Sequence, residues 1–79
     1  MNYEDYYSEV RHLARILKNE DMEDWAIKIL RPLEEEFTGT GIFMALRWNL
    51  GNFLSAQLGS EEAISCAKQL YQKIDVALS

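Results

Sequence analysis

The stretch TGTGIFMALRWNLGNFLSAQLG, residues 38 to 59, carries one charged side chain, Arg47. The segment before it, residues 19 to 37, holds seven acids (Glu20, Asp21, Glu23, Asp24, Glu34, Glu35, Glu36) against Lys28 and Arg31, which accounts for the chain's whole net charge of −5. Nearly uncharged helices are generally buried ones. This stretch therefore reads as a helix in the middle of a small bundle, beside a neighbour whose two ends are acidic.

Within it, Thr38-Gly39-Thr40-Gly41 is the clearest loop of the chain. Two glycines weaken a helix there, and either threonine can cap the next one. Ile42, Phe43, Leu46, Leu50, Phe53 and Leu54 then fall on one helical stripe, and Gly59 is expected to stop the helix. Met44 and Trp48 stand off that stripe, with Asn52 and Ser55 adjoining, and Gly51 between them would let a backbone or a flat ring approach closely. If this helix is central, Trp48 packs against the first or fourth helix; otherwise the face is an interface.

Working outward, Tyr3, Tyr6, Tyr7, Val10, Leu13, Ala14 and Leu17 form the stripe of a first helix that runs to about Lys18, with Asn2 as its cap and Asn19 closing it. Glu4 and Asp5 in its first turn and Arg15 and Lys18 in its last agree with the helix dipole. A second stripe runs through Met22, Trp25, Ala26, Ile29, Leu30, Leu33 and Phe37, with Asp21 as cap and Asp24 completing a variant capping box. Pro32 removes an amide donor from this helix and crowds the carbonyl of Lys28, so a kink near Arg31 is expected, or a break. Ser60 caps the last helix, with Glu61 and Glu62 in its first turn and Ala63, Ala67, Leu70, Tyr71, Ile74, Ala77 and Leu78 as its stripe.

Four amphipathic helices with short connections predict an all-α, compact antiparallel four-helix bundle formed by residues 1 to 79 as a single helical domain. A pair of repeats, 1 to 37 and 38 to 79, fits less well, because the halves share no repeat positions. A domain of this size buries only about 60% of the surface its unfolded chain exposes, so its core must be efficient. Hydrophobic residues at 48% and charged residues at 27% fit a globular chain. No hairpin signal, apolar span or secretory leader is evident, and the single cysteine, Cys66, cannot form an internal disulfide. These features place the protein in the cytoplasm.

Chemistry-bearing motifs are scarce, and no cofactor motif is present. His12 is the sole histidine, lies opposite the first helix's stripe, and has no second histidine or cysteine ligand at metal-site spacing, so it reads as solvated. Cys66 borders the fourth stripe and reads as a small buried thiol. Glu34, Glu35 and Glu36 are consecutive and fan out around the helix instead of converging on one point. Such runs are usually solvated faces, yet these sit at a helix C-terminus, where the dipole disfavours them by about 0.3 to 1 kcal/mol each. Binding to a basic partner would be a reason to tolerate that cost.

The negative field favours basic protein partners and argues against direct nucleic-acid binding. Two groups are thus expected to bind a protein partner: the acids Asp21, Glu23, Asp24, Glu34, Glu35 and Glu36, and the pair Arg47 and Trp48 with Met44, since tryptophan and arginine dominate binding hot spots. A homodimer formed through the third helix is the alternative, because association would help so small a core. An enzyme is not expected, for want of a convergent set of catalytic residue types.

The string TGTGIFMALRWNLGNFL, residues 38 to 54, resembles a pattern in small bacterial helical proteins akin to immunity partners of secreted toxins. Thr40, Leu46, Arg47, Trp48 and Leu50 in it look like fold determinants, so no binding residues carry over. The resemblance implies a non-enzymatic cytosolic inhibitor of a cognate toxin domain, often a nuclease.

Overall fold

The computed structural model describes residues 3 to 79. It contains four α-helices: α1 (Tyr3–Asn19), α2 (Glu23–Glu35), α3 (Gly39–Ala56) and α4 (Glu61–Leu78). Each helix packs on its neighbours in the chain, and α4 closes the ring against α1. Pairings across the ring run in opposite directions: Arg47 meets Asp75 and Gly51 meets Tyr71 between α3 and α4, while Trp25 meets Phe53 and Lys28 meets Asn49 between α2 and α3. The expected antiparallel arrangement is the one found. Asn2, the expected cap of α1, lies outside the described residues.

The core is apolar throughout the described residues, with no buried polar or charged side chain. Val10, Leu13 and Leu17 from α1, Ala26 and Ile29 from α2, Leu46, Leu50 and Phe53 from α3, and Ala63, Ala67 and Ile74 from α4 are fully buried. Ile16, outside the expected stripe, is buried as well. Two aromatic groups close the ends. Phe43 meets Tyr6 at 4.7 Å and Tyr3 at 5.3 Å, and Phe53 takes Trp25 edge-on at 5.4 Å between ring centroids. Edge-to-face contacts of this kind contribute roughly 0.5 to 1.5 kcal/mol beyond area burial.

The connections correct several expectations. Asp21 does not cap α2. The amide of Met22 donates to the Leu17 carbonyl (2.8 Å) and that of Asp21 to Lys18 (3.2 Å), while Asp21 adopts φ 59°. This paired closure satisfies the last carbonyls of α1 and puts Asp21 in the left-handed position that such caps require. Met22 is left at the N-cap of α2, with no side-chain hydrogen bond, so the capping box with Asp24 does not form. At the same end of the bundle, Gln57 (φ 55°) terminates α3 in place of the expected Gly59. Gly59 answers a different need: a Cβ there would lie 2.8 Å from Phe53 Cζ and 3.2 Å from Ala63 Cβ.

Thr38 and Ser60 cap as expected, accepting the amides of Gly41 (2.9 Å) and Ala63 (3.1 Å). Glu20 reaches across to Ser60, where its carboxylate accepts both the amide and the hydroxyl, tying the α1–α2 connection to the start of α4. The α2 helix remains continuous through Pro32 to Glu35 and is not broken.

Candidate functional site

In a ring of four helices each one keeps an outward face. On α3 that face carries Met44, Trp48, Asn52 and Ser55 at helical spacing. Trp48 is 72% exposed and Met44 55% exposed, so the expectation that α3 buries both faces is overturned. Trp25, not Trp48, is the tryptophan packed on the core. Gly51 does receive a flat ring, but from inside the molecule: a Cβ there would lie 3.6 Å from the ring of Tyr71.

Both flanks of this face are defined. Toward α4, Arg47 donates to Asp75 at 3.0 Å, and both side chains remain partly exposed. Toward α2, Asn49 donates through Nδ2 to the Lys28 carbonyl at 3.0 Å, the group whose helical donor Pro32 lacks. Around that bond a shallow cleft of about 150 Å³ is lined by Arg31, Pro32, Glu35, Glu36, Ala45 and Asn49 among others. Arg31 sits 3.6 Å from Glu35.

The six candidate acids do not form one surface. Glu35 and Glu36 border the α2–α3 cleft beside the Trp48 face. Glu34 points the other way, into a groove against the cations of α1. Asp21, Glu23 and Asp24 gather with Met22, Trp25 and Leu58 at the opposite end of α2. The dipole cost expected at the end of α2 is also reduced. Glu36 lies over the first turn of α3, its Oε1 3.1 Å from where a Cβ on Gly41 would sit, and a helix N-terminus favours negative charge.

Phe37, placed by periodicity in the α2 stripe, is fully exposed, because the chain leaves the helix after Glu35 and Glu36 turns extended (φ −88°, ψ 147°). His12 is exposed, and Cys66 is half-buried. Burial, with Glu9 and Glu62 nearby, pushes the Cys66 thiol above its ordinary range, which disfavours the thiolate. Among the described residues no three His, Cys, Asp or Glu side chains gather as a metal site, and no helix is long and apolar enough to cross a membrane.

These features define an all-α four-helix bundle whose most distinctive surface is the Trp48 face of α3. Comparison with family models, with curated proteins and with solved structures gives no significant match.

Proposed function

We propose that this chain is a non-enzymatic binding protein of the immunity or inhibitor kind, which holds a basic toxin-type domain, such as a nuclease, against the outer face of α3. The observation that carries this reading is the exposure of Trp48 with Met44 on a charge-free helix face. Trp48 and Met44 side by side form an exposed apolar patch, and tryptophan is among the residue types enriched at binding hot spots. Arg47, fixed by Asp75, supplies a polar rim on one side. Glu35 and Glu36 supply negative charge on the other, where it steers a basic surface toward the apolar centre.

The test begins with whether a basic toxin-type domain is encoded beside this chain and proceeds to its titration at low and high salt. Reversing Glu35 and Glu36 to lysine should weaken binding and flatten its salt dependence, whereas reversing Glu34, which faces α1, should do far less. Unchanged affinity at low salt for the Glu35 and Glu36 variant removes the electrostatic part of the proposal.

A further inference from the structure

A groove that joins apolar and charged groups lies between α1 and α2, away from the Trp48 face. Ala14, Leu30 and Leu33 form its floor, and its volume is about 500 Å³. Its α1 rim is cationic. Arg11, Arg15 and Lys18 recur at intervals of four and three, spanning about 10 Å of helix. Arg11 makes a long contact with Glu4 (3.4 Å), and among the described residues that line the groove Glu34 is the acid. In a chain of net charge −5, this is a local concentration of positive charge over an apolar floor.

Next to it stands the complementary chemistry. Glu34, Glu35 and Glu36 lead directly into Phe37, which is completely exposed. A phenylalanine wholly in water beside three carboxylates matches an apolar floor beneath three cations. It cannot fill its own groove, because the extended backbone at Glu36 carries it away from α2.

We propose that the α1–α2 groove receives the Glu35-Glu36-Phe37 turn of a second copy of this chain, forming a two-fold dimer. Groove and turn both belong to the C-terminal half of α2, so a two-fold axis beside Glu34 brings each turn to the other copy's groove, as a self-complementary interface requires. Since α1 and α3 are diagonal in the ring, the dimer leaves Trp48 itself uncovered, while Glu35 and Glu36 on the rim of that face are taken up by the second copy, so dimerisation competes with a partner for these two acids. Nucleic acid and anionic membranes fit worse, as both would meet the acids of the same surface.

Sedimentation of the intact chain from about 10 µM to about 1 mM, at low and high salt, tests this. The wild type should show a monomer–dimer equilibrium that salt weakens. Phe37→Ser should raise its dissociation constant at least about tenfold with an unchanged melting temperature, since that side chain packs on nothing. A chain with Arg15 and Lys18 reversed to glutamate, and another with Glu35 and Glu36 reversed to lysine, should each sediment as monomers. Mixed in equal amounts they should form a heterodimer, because both interfaces then regain opposite charges. A wild type that stays monomeric at all concentrations overturns the proposal. So does a dimer that survives Phe37→Ser and is lost on Trp48→Ala, which would place the contact on α3.

Discussion

Asn49 of α3 donates its side-chain amide to the backbone carbonyl of Lys28 in α2, at 3.0 Å. In an uninterrupted helix that carbonyl accepts the amide of residue 32, and proline has none. The neighbouring helix thus supplies the missing donor, and the bond locks α2 to α3 at the edge of the candidate interface. Asn49→Ala should destabilise the fold by about 0.5 to 1.5 kcal/mol. In a Pro32→Ala background the backbone donor returns, and the same substitution should cost clearly less. Urea denaturation of the four chains of this cycle checks the coupling; equal losses in both backgrounds would show that the two residues act independently.

Two left-handed residues offer room for stabilisation. Asp21 and Gln57 hold φ near 59° and 55° at the ends of α1 and α3. Glycine removes the steric cost of this conformation, roughly 1 to 2 kcal/mol for an L-residue, and gives part back through unfolded-chain entropy. Gln57→Gly should therefore raise stability by about 0.5 to 1 kcal/mol, and Asp21→Gly by less, since aspartate tolerates the region better. Thermal melts would show the order.

Gly51 and Gly59 should respond oppositely to alanine. At Gly51 the new methyl meets Tyr71 at 3.6 Å, an ordinary contact, and the helix gains propensity, so Gly51→Ala should be neutral or stabilising by up to about 1 kcal/mol. At Gly59 it would sit 2.8 Å from the fully buried Phe53, so Gly59→Ala should cost about 1 to 3 kcal/mol. Denaturation midpoints decide this directly.

Alkaline pH should weaken the fold. Burial raises the Cys66 thiol and, with Tyr3 and Glu4, the Tyr7 phenol, and the Glu9 hydrogen bond raises Lys73. All three hold their protons more tightly folded than unfolded. Their contribution is complete below the unfolded values, which begin at 9.0 for the thiol, and is lost as pH rises through the higher folded ones. Urea midpoints should fall between about pH 8 and about pH 11. Glu9→Gln should shrink the part due to Lys73.

The helices were legible in the sequence because apolar spacing of three and four is imposed by the core itself. Thr38 and Ser60 were legible as caps because their side chains do the capping. Asp21 and Gln57 were not, since left-handed closure depends on where the preceding helix stops; aspartate favours that conformation only weakly and glutamine does not. Phe37 escapes the helical stripe because periodicity has no meaning once the backbone leaves the helix at Glu36. Trp48 is exposed because lack of charge on a helix does not by itself bury it. A four-helix ring already requires an outward face on α3, and that face happens to be uncharged. Arg11, Arg15 and Lys18 were visible at helical spacing, but summing charge by segment cancelled them against Glu4, Asp5 and Glu9.

The outer face of α3, centred on Trp48, is the proposed protein interface. Where a basic toxin-type domain is encoded beside this chain, its calorimetric titration with wild type and with Trp48→Ala of matched melting temperature tests this most directly. Trp48→Ala should lose about 2 kcal/mol or more, on the order of a thirtyfold weakening. Affinity unchanged within about threefold would contradict it.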